Sequence, residues 1–92
     1  SSWGIVHEEP VDIVVRFRAK VAEFILRKEK WHPSEKRKVL PNGDLELTFT
    51  VAGGDEIKYW IYSWLPNAEV IEPSWLREHV RKELSRSAKE HA

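Results

Sequence analysis

Residues 11 to 30 read VDIVVRFRAKVAEFILRKEK, and the spacing of their apolar side chains changes partway along. In residues 11 to 19 the apolar residues occupy every second position, which predicts a strand with one buried face. In residues 20 to 30 the apolar spacing is helical, and Pro33 is expected to end this helix, because the residue before a proline avoids helical angles. The stretch therefore predicts a strand followed directly by an amphipathic helix.

The segment from residue 36 to residue 51 predicts a hairpin. Its centre is PNGD at residues 41 to 44, where proline, asparagine and glycine favour a tight turn. Apolar residues then alternate with polar ones over residues 45 to 51, which indicates a second half-buried strand. This strand is expected to pair back on a shorter basic strand near residues 36 to 40.

Two further helices and one more strand complete the chain. GGDE opens a helix with Asp55 as its N-cap, and apolar residues recur in it at i, i+3, i+4 and i+7. AEVIE at residues 68 to 72 predicts a short strand, and Ser74 is the expected N-cap of the last helix. One face of that helix is predicted to carry Leu76, Val80, Leu84 and Ala88.

The order strand, helix, strand, strand, helix, strand, helix predicts the fold class. Its first six elements match the ferredoxin-like βαββαβ sandwich, an α+β fold with an antiparallel sheet and both crossover helices on one face. The last helix is then a C-terminal addition. We expect this domain to span residues 11 to 92, after a linker at residues 1 to 10.

Composition excludes several classes of protein. With 92 residues there is room for one small domain, and its fifteen Lys and Arg balance fifteen Asp and Glu, so net charge gives no pull toward nucleic acid or membrane. The chain has no cysteine and no long apolar run, which favours a soluble, cytoplasmic protein without membrane contact. It also has no methionine and opens with linker character, so we expect an excised part of a longer protein.

No motif in the chain predicts catalysis. The four histidines are scattered without the short spacing or companion carboxylates of a metal site, and the paired glycines lack a phosphate-loop pattern. We therefore expect no metal, no cofactor and no enzymatic activity. An acylphosphatase-like hydrolase would keep the fold, but the motif that it requires is missing.

The open face of the predicted sheet should carry the polar positions of the alternating strands. These positions are Arg16, Arg18, Glu46, Thr48 and Thr50. Either the glutamate and the threonines pair with the arginines on a solvated face, or the guanidinium groups contact another domain or an anionic ligand. Base stacking of the RNA-recognition kind is disfavoured, because Phe17 and Phe49 fall on the helix-covered face.

At KWHPSEK, residues 30 to 36, and LPNAEVIEPSWLREHV, residues 65 to 80, the sequence resembles a known family. It is similar to the C-terminal extension, or WCX domain, that follows the WYL domain in bacterial transcriptional regulators. The family pattern has a strand like residues 11 to 17, then WHPSQ, a strand similar to residues 47 to 51, and an "aeVlEP" segment. Two positions depart from it, since Glu35 replaces a frequent glutamine and Leu65 a usual glycine.

The resemblance implies an auxiliary domain for effector sensing and dimerisation. The expected partners are the WYL domain of the same or a partner chain, a second copy in a homodimer, and a nucleic-acid or nucleotide effector. DNA would be bound only through a helix-turn-helix domain absent from this chain. The candidate contact residues are Arg16, Arg18, Trp31, His32, Ser34, Lys36 and Arg37.

Two questions stay open from the sequence. One is whether the chain is instead a stand-alone ferredoxin-like domain that binds a small anionic metabolite. The other concerns Trp31, whose ring either packs across the end of the first helix or stacks on a ligand.

Overall fold

The computed structural model describes residues 9–52 and 55–92, without the side chains of residues 55 and 56. The predicted capping role of the Asp55 side chain and residues 1–8 of the linker predicted at residues 1–10 lie outside the described residues. The elements are β1 (Val11–Phe17), α1 (Ala19–Arg27), β2 (Lys36–Val39), β3 (Leu45–Val51), α2 (Asp55–Tyr62), β4 (Ala68–Glu72) and α3 (Ser74–Glu90). Their strands form one sheet of order β2-β3-β1-β4, with every neighbouring pair antiparallel. This topology confirms the ferredoxin-like α+β fold with an added C-terminal helix.

The core lies between one face of the sheet and the helices. In β1 and β3, Val15 pairs with Leu47 and Phe17 pairs with Leu45, and all four side chains are fully buried. The helices contribute the buried side chains Ala22, Ile25, Ile61, Leu76 and Val80. Each large apolar side chain buried in this way stabilises the fold by about 1.5–3 kcal/mol. Much of the core comes from the buried faces of β1 and β3, which the alternation of the sequence predicts.

Helix α1 ends at Arg27, earlier than the sequence predicts, and Pro33 does not end it. Lys28 already has extended angles. The Trp31 indole Nε1 donates to the carbonyl of Ile25 at 2.9 Å, and an Arg37 Nη2 donates to the carbonyl of Lys28 at 2.6 Å. Side chains of the following loop and strand thus bind carbonyls that a continuing helix would have used, and the chain turns away before the proline.

The β2–β3 hairpin packs against the start of α1. Gly43 has a φ of 91°, and its amide donates to the Leu40 carbonyl at 2.9 Å, as in a tight turn closed by a left-handed residue. Next to it, an Asp44 carboxylate oxygen accepts the Ala19 amide at 2.9 Å and so caps the helix. Burial alone would raise the pKa of Asp44, but hydrogen bonds from Asn42, Ala19 and the nearby guanidinium of Arg18 lower it.

Helix α3 follows the sequence prediction only in its first half. Pro73, and not Ser74, occupies the N-cap position, and the buried apolar residues of the helix are Leu76 and Val80. From residue 81 onward every residue is exposed, including the predicted core positions Leu84 and Ala88. The second half of the helix extends beyond the described core residues, so Leu84 stays exposed although its spacing is that of a core position.

Candidate functional site

The corner between α1 and β2, residues 28 to 37, is organised around one buried carboxylate. Glu35 accepts the backbone amide of Trp31, that of His32 at 3.4 Å and the Arg37 Nε at 2.8 Å. The Glu35 side chain is 1% exposed and that of Arg37 is 23% exposed. A charge-assisted pair in this position fixes the path of the loop.

The protonation of Glu35 follows from these contacts. Burial by itself would raise the pKa of the carboxyl group, since it disfavours the charged form. The hydrogen bonds from Arg37, Trp31 and His32, with the guanidinium charge, outweigh burial and lower the pKa of Glu35 below its ordinary value. The carboxylate is therefore charged near neutral pH, where Arg37 neutralises it.

Trp31 packs into the protein across the end of α1. Its ring lies 5.5 Å from that of Trp60 and 6.1 Å from that of Trp64, and its indole N–H is bound to the Ile25 carbonyl. The Lys28 ammonium lies 4.6 Å from the centre of the Trp31 ring. Of the two roles that the sequence left open for Trp31, the structure favours packing.

His32 and Ser34 form a local hydrogen-bond network at the start of β2. The Ser34 amide donates to His32 Nδ1 at 3.1 Å, so Nδ1 is an acceptor, and the neutral ring carries its proton on Nε2. The Ser34 hydroxyl oxygen lies 2.7 Å from Nδ1 and accepts the Thr50 amide at 2.9 Å, which extends the β2–β3 ladder by a side chain. His32 Nε2 has no hydrogen-bond partner among the described residues. A shallow depression nearby is lined by Lys30, Trp31, His32 and Pro33.

A row of alternating charges crosses the open face of the sheet. Lys38 pairs in register with Glu46, Glu46 with Arg16, and Arg16 with Glu69. The Arg16 and Glu46 side chains form an ion pair at 3.2 Å and are 35% and 23% exposed. Glu69 in turn binds Arg77 at 2.8 Å, and this hydrogen bond lowers the pKa of Glu69. One sequence interpretation, that Glu46 pairs with the arginines, is thus seen at Arg16.

Arg18 joins this row from just beyond the end of β1. Its guanidinium lies 3.5 Å from Asp44 and 3.3 Å from Glu69, and its side chain is half exposed. Lys36, on the same open face, pairs in register with Thr48 and has no ion pair with a side chain of residues 9–52 or 57–92. Within those residues, the open face therefore combines arginines held by carboxylates with a lysine that no carboxylate holds.

The structure divides the predicted contact residues into two groups. Arg16, Arg18 and Lys36 lie on the open face, whereas Trp31, His32 and Arg37 lie on the helix-covered side, with Ser34 hydrogen-bonded to His32. The sequence did not show that the predicted residues lie on different sides of the sheet.

A further charged cluster, between α2 and α3, was missed by sequence reasoning. The Glu83 carboxylate accepts the Tyr62 hydroxyl at 2.5 Å and lies 3.2 Å from the buried Lys58 ammonium and 3.2 Å from His79 Nε2. The hydrogen bond from Tyr62 and the charge of Lys58 lower the pKa of Glu83. Burial, and after it the hydrogen bond to Glu83, raise the pKa of Tyr62. In the sequence, the one sign of this cluster is that Lys58 lies next to the apolar stripe of α2. This cluster fastens α3 to α2.

The described residues contain no group of three or more His, Cys, Asp or Glu side chains placed to hold a metal ion. Nor is any helix in this part of the chain long and apolar enough to cross a membrane.

Comparison with known proteins gives one positive result. No curated protein matches the chain. A family model, described as the WCX domain, matches residues 9–88. Because that match spans most of the chain, this protein belongs to the WCX domain family.

Proposed function

We propose that the chain is an auxiliary regulatory domain of a bacterial WYL-type transcriptional regulator, with roles in effector sensing and dimerisation and no catalysis of its own. The observation that carries the proposal is family membership over residues 9–88, the segment that contains the whole ferredoxin-like body. DNA binding then belongs to a helix-turn-helix domain elsewhere in the regulator, which works in the cytoplasm.

The effector surface in this proposal is the open face of the sheet. Arg16 and Arg18 are part exposed there. An anionic group can engage these guanidinium groups only by competing with Glu46 and Glu69. Lys36 lies on the same face, two strands away on β2, and forms no ion pair with a described side chain. A nucleotide or single-stranded nucleic acid fits this arrangement, because its phosphates are multivalent anions.

The corner between α1 and β2 has a different part in the proposal. Trp31, Ser34 and Arg37 make internal contacts that hold the corner in shape. The uncommitted N–H of His32 and the depression beside it are left to contact the WYL domain of the same or a partner chain. Domain contact and effector contact are thereby assigned to opposite sides of the sheet.

The effector part is tested by titrating the ¹⁵N-labelled chain with single-stranded oligothymidylate and with nucleoside triphosphates at low salt. We expect the amide signals of Arg16, Arg18 and Lys36 to shift, and the double variant Arg16→Ala with Arg18→Ala to bind about tenfold more weakly. The double variant Lys82→Ala with Arg86→Ala is the control, since it also removes two positive charges, from the exposed half of α3. Equal loss in the control, or shifts confined to residues off the open face, would contradict the effector assignment.

The regulator part is tested on the parent gene product. We expect coding sequence for a winged helix and a WYL domain upstream of Ser1, and light scattering of that longer protein to give the mass of a dimer. A parent without a WYL domain, together with anion binding by the isolated chain, would instead support the stand-alone metabolite-binding alternative.

A further inference from the structure

Strand β2 presents an open hydrogen-bonding edge. It is the terminal strand of the sheet and pairs only with β3 among the described elements. The Leu40 amide donates to the Asp44 carbonyl at 2.8 Å, so the backbone of Leu40 points toward β3. Because this direction alternates along a strand, the N–H and C=O groups of Arg37 and Val39 point away from the sheet. No residue within 9–52 or 55–92 forms a backbone hydrogen bond with them.

The opposite edge of the sheet, strand β4, is in contrast covered by a helix. The Arg18 amide donates to the Asn67 carbonyl at 2.9 Å, so alternation turns the carbonyl of Val70 outward from β4. Arg77 of α3 donates to that carbonyl at 2.7 Å and also binds Glu69. A helix and its guanidinium therefore protect the β4 edge, whereas β2 has no equivalent cover among the described residues.

The side chains of β2 determine which strand it can accept. Lys36 and Lys38 are exposed on the open face and form no ion pair with any described residue, while Val39 is 60% exposed on the other side. A second copy of β2 laid antiparallel would place lysines beside lysines, which is unfavourable. An extended segment with acidic residues on one side and an apolar residue on the other would pair with the lysines and cover Val39.

We propose that β2 binds an extended acidic segment of another protein or domain as a fifth strand of the sheet. Backbone hydrogen bonds to Arg37 and Val39 supply the attachment, and Lys36 and Lys38 select acidic side chains. The proposal goes beyond the regulatory function above and does not depend on it. The β2 edge could fail to bind an acidic strand while the open face still binds an effector.

The first test uses a short synthetic peptide in which glutamate alternates with valine, added to the ¹⁵N-labelled chain at low salt. We expect the amides of Arg37 and Val39 to shift and to exchange more slowly with solvent, and an alternating lysine and valine peptide to have no such effect. The double variant Lys36→Glu with Lys38→Glu should bind the acidic peptide about tenfold more weakly. Lys20→Glu with Lys82→Glu, an equal charge change at exposed helical positions, should bind it almost as well as the unmodified chain.

The second test separates strand pairing from simple charge attraction. Val39→Pro removes an outward N–H but leaves the hydrogen bonds to β3, and an edge strand tolerates proline at such a position. It should abolish peptide binding with the fold retained, while Val39→Ala keeps the N–H and most of the binding. The proposal is overturned if the proline variant binds normally, if the peptide shifts the amides around Arg16 instead, if no shift occurs, or if the free chain pairs with itself through β2.

Discussion

Replacing Glu35 by glutamine tests whether the corner depends on a charged carboxylate. Glutamine has nearly the same shape and is frequent at this position in the family pattern, yet it carries no charge. The Glu35 carboxylate accepts hydrogen bonds from the Arg37 Nε at 2.8 Å and from the backbone amides of Trp31 and His32. The Glu35 side chain is almost fully buried. The substitution therefore keeps the volume, removes the charge and turns one of the two acceptor oxygens into an amide donor.

The expected magnitude follows from the kind of bond that is lost. A hydrogen bond to a charged group stabilises a protein by about 1.5–3 kcal/mol, against about 1 kcal/mol for a neutral one. Glu35→Gln should thus lower the free energy of unfolding by about 1.5 kcal/mol, which in a domain of this size lowers Tm by roughly 6–12 °C. Glu35→Ala leaves Arg37 and two amides without their acceptor and should cost about 3 kcal/mol or more.

The dependence on pH provides the sharper measurement. The pKa of Glu35 is lowered from its ordinary value of 4.5, so its stabilisation is fully present above that value and is lost as pH falls through the folded-state pKa. Urea unfolding followed by tryptophan fluorescence at about pH 7 should separate the wild type from Glu35→Gln, and at about pH 3 the difference between the two should be smaller. Glu29→Gln is the control, since Glu29 is exposed in the same loop. A glutamine variant at position 35 that behaves like this control at both pH values would refute the reasoning.

Three further substitutions test the hairpin and the helix contacts. Gly43→Ala should destabilise the chain by about 1–2 kcal/mol in urea unfolding, because φ is 91° and the new Cβ would lie 3.2 Å from that of Ala19; an unchanged midpoint would contradict this. Asp44→Ala should lower Tm and speed amide exchange at the start of α1, whereas equal exchange would mean that the helix does not need this cap. Tyr62→Phe should cost about 0.5–1 kcal/mol and raise the pKa of Glu83 toward 4.5 by NMR titration; a constant pKa would exclude the hydrogen bond.

Much of the fold could be predicted because each element carries its own periodic signal. The alternation from Val11 to Phe17 and from Leu45 to Val51 fixes which face of each strand is buried, and the turn at Gly43 fixes how β2 meets β3. The end of α1 could not be predicted in the same way. It depends on Trp31 and Arg37, which reach back to carbonyls of the helix end, and local sequence does not encode such contacts.

The candidate site shows the same division between local and distant information. Strand alternation placed Arg16 and Glu46 on one face, but their ion pair depends on the register between β1 and β3, strands that are far apart in the chain. The cap that Asp44 gives to α1 also joins distant segments, and no local capping motif announces it. The exposure of Leu84 likewise depends on where neighbouring elements stop, not on the spacing within α3.

The structure changes the meaning of the WHPS motif at residues 31 to 34, through which the sequence first suggested a site. Trp31 is bound to the end of α1, and the Ser34 hydroxyl continues the sheet ladder to Thr50, so both side chains make internal contacts. A residue committed in this way cannot also bind a ligand without weakening the fold that presents it. Selectivity for an effector is then expected to arise from side chains outside the motif, among them Arg16, Arg18 and Lys36 on the open face. We therefore expect two WCX domains that share this corner to bind different effectors, and exchanging their open-face residues, with the corner left intact, should exchange what they bind.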